Sequence, residues 1–320
     1  MYRAFMIYLS KAAWVRKLVT GWSFAWRAAS RFVAGEKLED GIAAVKKLNE
    51  KGINATLDHL GEHTTNPEEA RRATQDIFKI LDAIEKMGVR SNVSLKLTQI
   101  GIDVDEAMCD ENLRCILERA REVGAYVRVD MEDSPWVDKT LAMYHKMRYE
   151  YSLDNLGVVI QAYLYRSEQD ILNLREQCTG VRLCKGAYKE HADVAYPKKQ
   201  DVDASFDRLA RLLIDGAKEH GCPEVSPDGK VPPPVALATH DEKRIVAAKA
   251  YAQAIGLPKP ALEFQMLYGI RRDLQESLSA EGYPVRIYVP YGSEWYPYYV
   301  RRLAERPANV WFFISNFFRR

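Results

Sequence analysis

Two adjacent arginines, Arg301 and Arg302, stand in the aromatic-rich stretch that begins at Trp295, with Glu305 four and three residues beyond them. On a helix that spacing lets all three share one side. A guanidinium pair meets a carboxylate or a phosphate through forked, charge-assisted hydrogen bonds, so the chemistry on offer is capture of an anion. Spacing alone equally describes ion pairs on a solvated helix. The balance moves because polar residues recur at the ends of short apolar runs: 58–62, 94–98, 128–133, 161–163, 182–188, 239–241, 263–267 and Tyr288. In several runs the polar members share one parity, Ser94 with Lys96, Arg128 with Asp130, Arg182 with Cys184, Arg286 with Tyr288, and their neighbours of opposite parity are apolar. Charges on an inward face need partners or a ligand. Together these residues describe a binding site for a polar, partly anionic small molecule.

The elements that must position them follow a regular rhythm. Strand-like runs occupy 53–57, 92–97, 126–130, 156–161, 180–185, 235–239, 262–266 and 285–289. Helical spacing follows each, near 66–87, 104–122, 135–151, 167–177, 202–220, 241–255, 270–282 and 294–306, with one more helix at 37–50 before the first strand. Eight strands each followed by a helix predict an α/β chain with a parallel sheet, closed as a (β/α)8 TIM-type barrel with extra N-terminal helices. An open doubly wound sheet is the alternative, but no G-x-G-x-x-G follows an early strand. The division expected is an N-terminal helical arm over 1–35 and a single barrel over 36–320. In such a barrel catalytic groups collect at the C-terminal ends of the strands, where the polar residues lie. Loop 186–201 falls on that face and is expected to act as a lid. The proline-rich stretch 221–234 falls on the opposite face and reads as a structural insertion.

Composition narrows the classes. An apolar fraction of 47%, a charged fraction of 28% and a net charge of +2 describe an ordinary globular protein and point away from nucleic acid. Five cysteines without a C-x-x-C fit free thiols in a reducing cytoplasm. His240 has no second His or Cys at ligand spacing, so no metal is expected. Asp130, Glu62 and Glu263 could serve glycoside hydrolysis, but the cations among them favour ionised acids over a raised-pKa proton donor. No Ser-His-Asp set stands out, and Cys184, inside a strand, reads as an inert thiol. Residues 1–35 are basic, aromatic and acid-free. They read first as an arm docking on the mature protein, then as a membrane-surface helix, then as a cleaved leader. The aromatic cluster over 311–318 reads as a terminal helix closing over the fold.

The strand-end sequences Leu57-Asp58-His59-Leu60-Gly61-Glu62, Ser94-Leu95-Lys96-Leu97, Asp130-Met131-Glu132-Asp133, Gln161-Ala162-Tyr163, Arg182-Leu183-Cys184-Lys185-Gly186-Ala187-Tyr188, Ala238-Thr239-His240-Asp241 and Glu263-Phe264-Gln265-Met266-Leu267, closed by Tyr-Val-Pro-Tyr-Gly and Arg-Arg-Leu-Ala-Glu, resemble proline dehydrogenase in its bacterial monofunctional form. Each motif alone is weak; eight in order are specific. The resemblance covers the chain from about residue 30 onward. It implies a distorted barrel holding FAD non-covalently, oxidation of L-proline to Δ1-pyrroline-5-carboxylate, and delivery of electrons to a quinone at the membrane. It also implies a cytoplasmic protein, peripheral on the inner membrane face, and leaves a homo-oligomer open. Carried over by motif, Lys96, Arg301 and Arg302 hold the proline carboxylate, and Asp130 orders the site. Tyr288 and Leu267 pack on the ring, Arg182 lies beside the flavin N5 region, and Glu62 is a gate carboxylate paired with Arg301. Met131, Gln161, Lys185, Gly186, Ala187, Thr239 and His240 line the FAD.

The chemistry is consistent with these roles. Hydride transfer needs its carbon held in a fixed orientation, which a three-cation clamp on one carboxylate supplies. The same cations disfavour protonation of the neighbouring amine, which must be neutral before the carbon beside it loses hydride. The rival readings are a flavin-free amino-acid-binding barrel and an oxidase that uses O2.

Overall fold

The structure, a computed structural model, describes residues 26–305 except residue 28, with side chains as far as Arg302. The predicted arm before Trp26, the predicted terminal helix over 311–318 and the Glu305 side chain lie outside the described residues. After α1 (Leu38–Asn49) come β1 (Asn54–His59), α2 (Pro67–Met87), β2 (Ser91–Leu95), α3 (Glu106–Glu122), β3 (Val127–Val129), α4 (Val137–His145), β4 (Leu156–Gln161) and α5 (Ser167–Arg175). They are followed by β5 (Gly180–Cys184), α6 (Lys199–Glu219), β6 (Val235–Ala238), α7 (Glu242–Ala254), β7 (Leu262–Leu267), α8 (Arg272–Ala280), β8 (Val285–Tyr291) and α9 (Trp295–Glu305). The strands pair in sequence order, all parallel, and β1 closes on β8 with Asn54 opposite Arg286 and Thr56 opposite Tyr288.

Local signals fix the elements. Asn66 caps α2 by accepting from the Glu69 amide, Pro67 opens its first turn, and Gly88 ends it in the left-handed region at φ 59°. Ala70, Thr74, Ile77, Leu81 and Ile84 form the face that α2 buries. The helix expected over 135–151 is in two parts, because α4 passes at His145 into a π-helical turn, Lys146–Glu150.

Alternate residues of the strands face the helices and form the apolar core: Ala55 and Leu57, Val93 and Leu95, Val127 and Val129, Ile287 and Val289 are all at most 1% exposed. The barrel interior has apolar Val159 and Ala236 flanking Arg182, yet it carries charge further down than expected, since its lower half is also charged. There Arg286 donates from Nε to both Glu263 oxygens at 3.0 and 3.1 Å, with neither side chain exposed. Small residues on the neighbouring strand make room for the equally long Arg128: Gly157 is its register partner on β4, and a Cβ there would lie 2.6 Å from Arg128 Nη1.

The insertion at 221–234 plugs this lower end. The Gly229 carbonyl accepts from Arg286 Nη2 at 2.8 Å, at a residue with φ 68°. A Cβ there would come 2.3 Å from Asn54 Oδ1, so only glycine lets the backbone approach this closely. At the upper end, Trp26, Ala34 and Glu36 dock beside β8 and α9. Trp26 meets Trp295 edge-on at 5.4 Å, Trp295 Nε1 donates to Glu36 at 3.1 Å, and the Ala34 amide donates to the Pro290 carbonyl at 2.9 Å.

Candidate active site

At the C-terminal ends of β1, β2, β3, β5 and β8 one carboxylate organises the others. Asp130 follows β3, and its Oδ1 accepts from Ser94 Oγ and from Arg182 Nη1, both at 2.7 Å. Its Oδ2 accepts from Tyr288 Oη at 2.8 Å and lies 3.6 Å from Lys96 Nζ. Burial would raise the Asp130 pKa, but Arg182, Lys96 and the Ser94 and Tyr288 hydroxyls outweigh it and hold the carboxyl below its ordinary range. Burial likewise works against charge on Lys96, yet Asp58, Tyr288, Asp130 and Glu62 together hold the ammonium well above its ordinary range. The sequence-predicted Lys96, Asp130, Arg182 and Tyr288 are therefore one cluster of three fixed charges and a neutral phenol.

Arg182 is braced from below as well. Its Nε donates to Gln265 Oε1 at 2.5 Å, and Gln265 Nε2 donates to Glu263 Oε1 at 2.6 Å. Because Glu263 is the acceptor for that amide, the Gln265 carbonyl is turned toward Arg182. The run continues through Arg286 to Gly229, so the floor plug is joined to the mouth by hydrogen bonds along the barrel axis.

The arginines of α9 separate. Arg301 donates from Nη1 and Nη2 to the two Glu62 oxygens at 3.0 and 2.8 Å, the forked geometry of a strong pair. Burial pushes the Glu62 pKa up, but Arg301 and then Lys96 outweigh it and bring it below its usual range. Arg302 lies over the Tyr298 ring at 5.1 Å.

A second group of predicted residues lines the mouth over β4, β5 and β6. Gln161 is 3% exposed; its Nε2 donates to the Met131 carbonyl at 3.4 Å, while its buried Oε1 has no hydrogen-bond partner. Lys185 Nζ donates to Asp203 Oδ1 at 2.5 Å and to Asp241 Oδ2 at 2.7 Å. Gly186 has φ 108°, and a Cβ on it would come 2.4 Å from the Tyr163 ring; exposed Ala187 follows. Thr239 accepts from the Asp241 amide at 3.1 Å. The Leu267 amide donates to His240 Nε2 at 3.0 Å, which leaves the His240 proton on Nδ1 when the ring is neutral. Cys184 ends β5, and burial pushes its thiol up to about 11, so it is no thiolate at neutral pH.

The loop expected to serve as a lid is tied down at several points. Leu164 and Ala195 form an antiparallel bridge, the Tyr196 amide donates to the Tyr163 carbonyl at 2.8 Å, and Glu190 accepts from the Ser134 amide and hydroxyl at 2.8 and 2.7 Å.

Two contributors had no role in the sequence reading. Gln265 carries the brace under Arg182, and Asp58, 1% exposed, lies with its Oδ1 3.6 Å from Lys96 Nζ. Both have the inward parity of their strands, and that parity was the available signal.

The comparisons agree with one another. The family model described as Proline dehydrogenase matches residues 42–314. Proline dehydrogenase 1 of Bacillus subtilis (strain 168) is 40% identical over 293 residues, 91% of this chain and 91% of that protein. Proline dehydrogenase of Deinococcus radiodurans is 41% identical over 91% of this chain and 90% of that one. Among solved structures, proline utilization A (PutA) from Bdellovibrio bacteriovorus, inactivated by N-propargylglycine, superposes with a TM-score of 0.78 at 27% identity. That match covers 88% of this chain and 33% of the longer protein.

Proposed function

This chain belongs to the proline dehydrogenase family and oxidises proline in proline catabolism, and from that premise we propose that it does so as an FAD-dependent dehydrogenase with a quinone as its electron acceptor. The observation that carries this reading is the braced cation at the mouth, Arg182 held between Asp130 and Gln265 and next to Lys96 and Tyr288.

The residues fit such a cofactor. Gln161 presents a buried amide oxygen without a partner, a match for a flavin ring N–H. Lys185 supplies a cation for a phosphate, and at Gly186 the backbone comes close to the Tyr163 ring where a side chain would block it. Met131, Ala187, Thr239 and His240 complete the same mouth. When bound, FAD supplies the two-electron acceptor for the hydride that leaves the ring.

This chain's own residues do the rest. Lys96 takes the proline carboxylate together with Arg301 and Arg302, which fixes the ring by one end. The carbon that reacts is the one beside nitrogen and remote from that carboxylate, because Δ1-pyrroline-5-carboxylate has its double bond there. Cations at Lys96, Arg182 and Arg301 favour the neutral amine, whose lone pair is needed as hydride departs. Asp130 does not titrate in this cycle; it holds Arg182 and Tyr288 in place, and the Tyr288 ring walls the pocket against the ring methylenes. Glu62 closes the mouth by pairing with Arg301.

Among the described residues no helix is long and apolar enough to cross a membrane. The quinone acceptor and the free cysteines support a cytoplasmic protein peripheral on the inner face of the membrane. The test is direct. The purified protein should be yellow, should release FAD on denaturation, and should reduce a dye with proline in an FAD-dependent way. A colourless protein that gains no activity from FAD would refute the flavin reading, and stoichiometric peroxide during turnover would replace the quinone with O2.

A further inference from the structure

Four carboxylates surround Lys96, and three of them are committed. Asp130 accepts from Ser94, Arg182 and Tyr288. Glu62 is held by both Nη atoms of Arg301, and Glu132 accepts from the Thr98 amide at 3.2 Å and its hydroxyl at 2.6 Å. Asp58 differs: it is 1% exposed and neither oxygen accepts a hydrogen bond. A buried carboxylate left bare is costly, and native structures rarely keep one without a use. The groups that face it are Lys96 just beyond β2, Asp130 beyond β3, Tyr288 from β8 and Glu62 from the loop after its own strand. Of these only Lys96, 3.6 Å away, is a cation, and the Tyr288 hydroxyl donates to Asp130.

We propose that Asp58 is the proton acceptor of this site, taking the proton that the substrate's ring ammonium must lose before hydride can leave. The N–H bond breaks and its electron pair stays on nitrogen as the lone pair. Neither Asp58 oxygen is open to the mouth, so the proton passes along Lys96, which gives one proton to Asp58, 3.6 Å away, as it takes one from the substrate. An O–H bond forms on Asp58, with nothing oxidised or reduced. The trigger is the substrate's own carboxylate. When it docks on Lys96 it takes over the cation that stabilised ionised Asp58 and adds a second negative charge nearby, so the neutral acid becomes the favoured form. Burial, with Asp130 and Glu62 nearby, already pushes the Asp58 pKa above its usual range, only partly opposed by Lys96 and the Tyr288 hydroxyl, so the added charge acts on a group poised to protonate. The proposal rests on the reading above that Lys96 binds the carboxylate.

The experiment uses the FAD-loaded enzyme and tetrahydrofuran-2-carboxylate, which is proline with its ring nitrogen replaced by oxygen. This probe has a carboxylate and no ammonium, so any proton bound with it comes from solvent. Titration calorimetry at mildly alkaline pH, in two buffers of different ionisation enthalpy, counts those protons. Wild type should take up about one proton per probe bound, and Asp58→Asn should bind the probe with none. Asp58→Asn should also lose roughly 100-fold or more in kcat/KM for proline, as expected on removing a general base. Binding without proton uptake in wild type, or uptake unchanged in Asp58→Asn, overturns the role of Asp58 while leaving the site assignment intact. If Lys96→Met binds the probe as tightly as wild type, the carboxylate assignment fails and the proposal falls with it.

Discussion

Replacing Arg301 by methionine separates a substrate clamp from a surface ion pair. In the structure both guanidinium Nη atoms are engaged by Glu62, at 3.0 and 2.8 Å. A substrate carboxylate would share that fork, so Arg301→Met removes a charge-assisted, forked contact from the bound state. Loss of one such partner costs roughly 2–5 kcal/mol, about 30-fold to several thousand-fold in kcat/KM. The variant also leaves Glu62 bare at the mouth, where it repels the incoming carboxylate. At an effective dielectric near 20, two carboxylates roughly 8 Å apart repel by about 2 kcal/mol. Adding Glu62→Gln should therefore recover up to about 30-fold of the loss, making the double variant better than Arg301→Met alone. The pH profile supplies an independent check. Arg301 is what chiefly outweighs burial and keeps Glu62 below its usual range. Without it the Glu62 pKa rises, so kcat/KM of Arg301→Met should improve relative to wild type as the solution is acidified, and the double variant should lose that trend. The assay is dye-coupled proline oxidation across pH, with flavin content measured on each variant. Wild-type kcat/KM in Arg301→Met, or a second substitution that deepens the defect, refutes the clamp.

Other predictions follow from the same geometry. On the barrel floor, Glu263→Met and Arg286→Met should each cost about 3–5 kcal/mol of unfolding free energy, since each strands a buried charge, while the double variant costs clearly less than their sum; additivity in denaturant titrations would mean the pair is not coupled. Tyr288→Ser should narrow the preference for proline over 4-hydroxyproline, because it opens the pocket wall and removes the hydroxyl that holds Asp130 at 2.8 Å. An unchanged kcat/KM ratio for the two substrates would take Tyr288 out of that wall. Asp58→Asn should raise Tm at neutral pH. Burial lifts the folded-state pKa of Asp58 above its unfolded value, so its ionisation lowers stability as pH rises from the unfolded value, about 3.9, through the folded one, and the amide escapes that cost. A lower Tm for the variant at neutral pH, or a gain that persists in acid, would contradict this sign.

Much of the architecture is set by short-range order in the chain. The alternation within 285–289 and the other runs marks strands, the helical spacing between them marks crossovers, and eight repeats of that unit have one compact parallel closure. Parity also told which residues face inward, because successive side chains on a strand point to opposite faces whatever the rest of the fold does. Parity says nothing about which inward residues meet. Arg182 and Asp130 are 52 positions apart and Tyr288 and Asp130 are 158 apart, and only barrel closure, with β8 laid against β1, brings them within hydrogen-bond distance. The same closure seats Gly229 under Arg286 and so gives the proline-rich insertion a function its composition does not state. It also turns two similar strand-end aspartates into different groups. Asp130 is placed among three hydrogen-bond donors and stays charged, whereas Asp58 is placed with only the Lys96 ammonium 3.6 Å away and no hydrogen bond to either oxygen. That difference arises from relative position and the removal of water, which exist only once the chain has closed on itself.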